Sequence, residues 1–215
     1  MSEIQITREI AQKVRDVVDA GLVSGVGNPE PGKMCVEAAV CFALGLPHGD
    51  KPTCVSPALR RLKIGLNDRT WSSPLARAAG LRRLAVAQLG SAGVLDDRAF
   101  VTRVVEMTIR KAVPAALRAA AKVNPKHAAD LEAAAVWCEQ EGTREAARNG
   151  ERVARAASAY ADAAYADAAA DAAAAYAAAR DRALATYSEW VVQILIDMKA
   201  PGCEFLDLVP LKDAA

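Results

Sequence analysis

Residues 33 to 68 read KMCVEAAVCFALGLPHGDKPTCVSPALRRLKIGLND and gather three cysteines, one of the chain's two histidines and several carboxylates into 36 positions. Three chemistries suit these residue types. Cys35, in the first turn of a helix, could serve as a nucleophile, because unbonded backbone N–H groups stabilise a thiolate there, with His48 returning across the next loop as its base. No cysteine-hydrolase signature flanks it. Cys35, His48 and Cys54, with Asp50, are also zinc-type donors, but ligand gaps of 13 and 6 residues differ from the close pairs of structural zinc sites. No metal and no cofactor is therefore expected. The third chemistry is anion binding, with helix starts at Cys35 and Ser56 presenting N–H groups and Arg60, Arg61 and Lys63 following directly. Opposed to all three is a plain structural reading, in which Ser56 and Asp68 are helix caps, His48 and Asp50 shape the loop, and the arginines pair with acidic helices.

These residues depend on helices to position them. Thr7 caps a first helix whose Ile10, Val14, Val17 and Val18 share one face. GVGNPEPGK is loop, and MCVEAAVCFALG is a short buried helix ended by Gly45 and Pro47. Ser-Pro pairs at 56–57 and 73–74 place a cap followed by proline at the first helical position, opening two further helices. Asp96 caps another, which Pro114 must kink or divide, and Asn124-Pro125 precedes a helix containing Trp137. The spacing predicts an all-α chain of about seven or eight helices. Its expected division is a helical core over 1–143 and a long helix with a tail over 144–215.

From Glu151 to Ala200 there is no glycine or proline and alanine dominates. A continuous helix over this stretch would extend about 75 Å at 1.5 Å per residue. Tyr165, Tyr176 and Tyr187 recur every 11 residues and so share a stripe, continued by Ala169, Ala172, Ala179, Ala183, Trp190, Ile194 and Met198. Asp167, Asp171, Asp181 and Glu189 lie on or near the opposite side. Such a stripe is the pattern of a packing seam, and its length makes a homo-oligomer the expected assembly.

Charge is unevenly placed along a chain whose net charge is +1. Residues 57–126 hold 14 basic and 4 acidic side chains, a net +10, whereas residues 127–215 hold 8 and 15, a net −7. A total near neutrality argues against a general nucleic-acid binder. With 53% apolar but only 5% aromatic residues, the core must come from closely packed small side chains. The absence of a 20-residue apolar run argues against a membrane span, and the odd number of cysteines, five, argues against a disulfide framework. A cytoplasmic location with reduced thiols is the expectation.

The run CVEAAVCFALGLPHGDKPTCVSP, the later LND and the alanine-rich tail resemble an uncharacterised family of Ala-rich helical proteins of bacteria and phages. The shared pattern is C-x-E-A-A, P-[HW]-x-D-x-P-x-C-V-S-P and L-N-D. It falls on Cys35, Glu37, Ala38 and Ala39, on Pro47, His48, Asp50, Pro52, Cys54, Val55, Ser56 and Pro57, and on Leu66, Asn67 and Asp68. The resemblance implies a common fold and a common use of this region, without an activity. It also implies that tryptophan can stand at His48, so Asp50, Cys54 and Asn67 become the better polar candidates. The function expected from these readings is a non-catalytic binding protein for an anionic small molecule such as a nucleotide, with Asp50, Cys54, Ser56, Arg60, Arg61 and Asn67 as ligand-binding residues. The alternatives are an interaction or regulatory protein acting through its long helix, and a cysteine-dependent hydrolase or transferase using Cys35 with His48.

Overall fold

The structure, a computed structural model, describes the backbone of residues 5–161 and 169–211, and the side chains of those residues outside 158–176. Among the described residues the regular elements are helical. They are α1 (Arg8–Asp19), α2 (Val36–Ala43), α3 (Pro57–Asn67), α4 (Pro74–Ala87), α5 (Asp97–Met107), α6 (Val113–Val123), α7 (Ala128–Glu141), α8 (Arg144–Ala161) and α9 (Ala169–Asp197), with 3-10 segments at Pro125–His127 and Pro201–Leu208. The all-α expectation holds. The count exceeds seven or eight because the alanine-rich stretch is described as α8 and α9, whose junction at 162–168 lies outside the described residues. Among the described residues, no helix is long and apolar enough to cross a membrane.

The caps read from sequence are in place. Thr7 Oγ1 accepts from the Ile10 amide at 3.4 Å, Ser56 Oγ from Leu59 at 3.3 Å and Ser73 Oγ from Ala76 at 3.0 Å. Each satisfies one of the amide groups that a helix start leaves without a partner. Pro114 divides its helix through a π turn over Thr108–Ala112. A proline has no N–H for the preceding turn and its ring crowds the carbonyl there, and a widened turn relieves both.

By contact the chain forms two compact units, Met1–Val101 with Ala175–Ala215, and Thr102–Ala174. The alanine-rich tail is thus divided between them. In the second unit α6, α7 and α8 pack on one another around Ile109, Leu117, Leu131, Ala134, Ala135, Cys138, Ala146 and Ala157. Seven of these eight are alanine or aliphatic residues without an aromatic ring's bulk or polar tip, which is how an apolar but aromatic-poor composition closes a core. Arg110 stabilises the end of α7 by donating to the carbonyls of Glu139, Gln140 and Glu141 at 2.6–3.1 Å, where the helix leaves acceptors unpaired.

In the first unit α1, α2 and α4 pack together, α3 lies on α2, and the Pro201–Leu208 segment lies on α1 and α4. Gly202 permits that last approach. A Cβ there would stand 2.4 Å from the Val86 carbonyl oxygen. The C-terminal part of α9 buries Ser188, Val191, Val192, Ile194 and Leu195. The expected seam through Ala183, Tyr187, Trp190 and Ile194 is therefore displaced: Ala183 is exposed, Tyr187 and Trp190 are half-buried, and the buried face centres on Ser188, Val191, Val192 and Leu195. The side chains of Tyr165, Ala169, Ala172 and Tyr176 lie outside the described residues. Two acidic residues of α9 meet α4 and the turn before it: Asp181 accepts from the Ser72 amide at 3.0 Å and Glu189 from Arg83 at 2.9 Å.

Candidate functional site

The segment before α2 folds back on itself through one antiparallel bridge between Gly27 and Met34. Gly27 has a φ of +73°, and a Cβ on it would meet the Lys33 carbonyl oxygen at 2.0 Å, so only glycine suits the position. His48 Nε2 donates to the Gly27 carbonyl at 2.9 Å from across the next loop. His48 is exposed and holds loop to loop, in agreement with the structural reading.

Asn67, at the end of α3, fastens this turn to the core. Its Oδ1 accepts from the Val36 amide at 3.2 Å, while Nδ2 donates to the Val23 carbonyl at 2.9 Å and to Asp68 Oδ1 at 3.0 Å. Asp68 in turn accepts from the Gly25 amide at 2.8 Å and from Ser24 Oγ at 3.3 Å. Partial burial would push its carboxyl up, but these donors and the nearby Arg77 hold it below the usual aspartate range. Buried Arg77 closes the arrangement from behind, donating to the carbonyls of Asn67 at 2.9 Å and Leu22 at 2.8 Å.

Cys35 is the N-cap of α2, its Sγ accepting from the Ala38 amide at 3.3 Å. Burial pushes its thiol up and outweighs the helix-start amides that favour the thiolate. The nucleophile reading requires the opposite direction. The cavity that Cys35 lines does not include His48. Cys41 and Cys54 are also buried free thiols, both pushed up by burial, Cys41 to about 11. Among the described residues, no group of three or more His, Cys, Asp and Glu side chains is arranged to hold a metal ion.

What sequence reasoning missed is the burial of Glu37 and Lys63 together, both 0% exposed. Lys63 Nζ stands 3.4 Å from Glu37 Oε1 as a buried ion pair, and Glu37 Oε2 has no hydrogen-bond partner. Burial pushes Glu37 up and pulls Lys63 down, each opposed by the other's charge. Lys63 was expected beside Arg60 and Arg61 as one of the cations of an anion pocket. A signal existed: Leu59, Lys63, Leu66 and Asn67 follow helical spacing, and they are the buried residues of α3. Glu37 likewise interrupts a helix in which Val36, Ala38, Ala39, Val40 and Cys41 are all buried.

Glu37, Cys35, Asp50, Ile64, Asn67 and Asp68 line one cavity of about 150 Å³. The structure thus brings two of the six expected ligand-binding residues, Asp50 and Asn67, to a single space, together with Cys35, the nucleophile candidate. Arg60 stands beside it, donating to the Asp50 carbonyl at 3.1 Å and ion-paired with its carboxylate at 3.6 Å. Cys54 is buried next to the Glu37 and Lys63 charges without lining the cavity. Ser56 is a buried cap that also donates to Asp97 and whose amide is bonded to Ser91 Oγ. Arg61 is exposed on α3 and forms no ion pair among the described residues. The arrangement offers acceptors in a small, partly open space whose wall includes exposed Val26 and Asp68, with the neighbouring cations already engaged by carboxylates.

No protein-family model, curated protein or solved structure matches the chain.

Proposed function

We propose that this chain is a non-catalytic binding protein for a small polar molecule, held in the cavity between α2, α3 and the Gly25–Met34 turn. The observation that carries this reading is the cavity itself, about 150 Å³ and lined by Cys35, Asp50, Asn67 and Asp68. Cys35, with its thiol pushed up by burial, supports binding over catalysis. The pattern shared with the Ala-rich family includes Cys35, Glu37, Asp50, Asn67 and Asp68, all on this wall, which supports placing the common use here. The test is a thermal-shift screen of small metabolites, in which a ligand at 100 times its Kd stabilises by about 2.7 kcal/mol. The reading requires a hit that Val26→Trp, at the cavity wall, abolishes, and a silent screen overturns it.

A second reading retains an anionic ligand such as a nucleotide, supported by a larger groove of about 800 Å³ lined by Trp71, Arg82, Arg83 and Arg182 together with Asp19 and Glu189. Arg82 is paired with Asp19 at 2.8 Å and Arg83 with Glu189 at 2.9 Å, so Arg182 is the cation on which this reading turns. Binding of a nucleotide that Arg182→Ala weakens would favour it over the cavity. Self-association through the Tyr165–Tyr187 stripe is a proposal from sequence spacing, and a mass above 22.6 kDa by light scattering would support it.

A further inference from the structure

The groove of about 800 Å³ lined by α4, α9 and Leu211 combines a fixed apolar floor with charges that are unequally used. Trp71 forms the floor. Its indole N–H donates to the Leu66 carbonyl at 3.1 Å, and its ring lies against Gly80, where a Cβ would stand 2.4 Å from it. Leu75 and Leu211 also line the groove, and at 65% and 62% they are the most exposed large hydrophobic side chains among the described residues. Single exposed leucines are ordinary, but two on one concave surface beside a tryptophan make an apolar patch of the kind that ligands cover. The charges around it are mostly committed: Arg82 is paired with Asp19, Arg83 with Glu189, and Asp181 accepts from the Ser72 amide and hydroxyl. Arg182 is the lining cation without an ion pair among the described residues.

One uncommitted guanidinium matches one negative charge, and the carboxylates of Asp19, Asp181 and Glu189 on the same wall oppose a ligand that carries several. A nucleotide's phosphate exceeds a single charge at neutral pH, and its sugar has hydroxyls that Leu75 and Leu211 cannot pair. A carboxylate on an aliphatic chain meets both conditions, since a guanidinium donates to it through paired N–H groups while the chain removes the leucines from water. We infer that this groove binds an amphipathic monoanion, a medium-chain alkyl carboxylate, with its head at Arg182 and its chain over Trp71, Leu75 and Leu211. The inference rests on the second reading, in which the groove takes an anion, and is independent of the smaller cavity.

Amide NMR titration of the full chain tests this with hexanoate, octanoate, decanoate, octanol and octyltrimethylammonium, all below micelle-forming concentrations, and with adenosine monophosphate for comparison. The Ser72 amide, bonded to Asp181, and the Gly80 and Ala185 amides of the groove wall are the reporters. The carboxylates should give saturable shifts at these sites, and each added CH2 should strengthen binding by up to about fourfold. Octanol and octyltrimethylammonium should bind more weakly than octanoate. Arg182→Ala, at an exposed side chain, should weaken octanoate by about two- to fivefold and leave octanol unchanged. Ala79→Trp, which fills the groove from an exposed position of α4, should abolish the carboxylate shifts, and retained binding in that variant overturns the inference. So does equal binding by octyltrimethylammonium, an affinity indifferent to chain length, or octanoate binding undiminished in Arg182→Ala. The charge and chain-length comparisons use the unaltered chain, so they decide the matter should either variant fail to fold. Tighter binding of adenosine monophosphate than of any carboxylate at the same reporters overturns the monoanion class while the anion groove stands, and silence from every anion overturns both.

Discussion

Lys63 on α3 and Glu37 on α2 face each other at 3.4 Å with both side chains at 0% exposure. Two desolvated charges at this separation couple the two helices, and removal of one strands the other. Lys63→Met or Glu37→Gln alone is expected to destabilise the fold by about 3–5 kcal/mol, whereas Glu37→Leu with Lys63→Met should cost far less than the two single losses together. Chemical denaturation of the three variants measures the difference.

The same pair predicts opposite pH dependences for the two single variants. With Lys63 gone, Glu37 is held above its unfolded value by burial, so the folded state retains a proton the unfolded state has released. Stability is then greatest below about pH 4 and falls as pH rises through the folded pKa. With Glu37 neutralised, Lys63 is held below its unfolded value, so stability is greatest above about pH 10 and falls as pH decreases through the folded pKa. Denaturation midpoints between pH 4 and 10 should slope downward for Lys63→Met and upward for Glu37→Gln.

Asn67 serves three partners with one amide. Asn67→Ala is expected to lose about 2–4 kcal/mol, from several net hydrogen bonds and the unpaired Val36 amide left behind. Asn67→Asp should be worse, since it cannot donate to the Val23 carbonyl and sets a second carboxylate beside Asp68. Faster hydrogen exchange at Val36 in both variants would report the loosened turn.

The cysteines should be slow. Cys35, Cys41, Cys54 and Cys138 are buried, and Cys203, half-buried, is pushed up to about 11. At pH 8 the folded protein should react with iodoacetamide at every position more slowly than the denatured chain, with Cys203 first. A Cys35 that alkylated faster than the denatured thiol would return the cysteine-enzyme alternative.

Gln88 is fully buried at the end of α4, and neither its amide nitrogen nor its oxygen has a hydrogen-bond partner. Replacing it by methionine, of similar length and without polar atoms, should raise stability by about 1–2 kcal/mol. Thermal melting of Gln88→Met provides the comparison.

Local rules made the helices, their caps and the break at Pro114 readable in advance. Serine or threonine before a helical run, proline at its first position and glycine at a turn act within a few residues of themselves. The pattern Cys35 to Asp68 also pointed to the right part of the chain. What it did not reveal was which polar residues would face inward together. Lys63 sits between Arg60, Arg61 and the end of a polar helix, and only packing against α2 decides that it opposes Glu37 rather than solvent. The displaced face of α9 has the same cause, since packing decides which side of the helix is buried, with Glu189 meeting Arg83 across helices.

By itself, then, the sequence determined helical class, boundaries and the uneven charge, because propensity, capping and periodicity are properties of adjacent residues. The tertiary structure alone decided where the charge is buried. Arg60 meets Asp50, Arg83 meets Glu189, and Glu37 meets Lys63 across helices distant in sequence. A carboxylate's usefulness to a ligand depends on what remains unpaired after those meetings, and that is a property of packing, not of spacing along the chain.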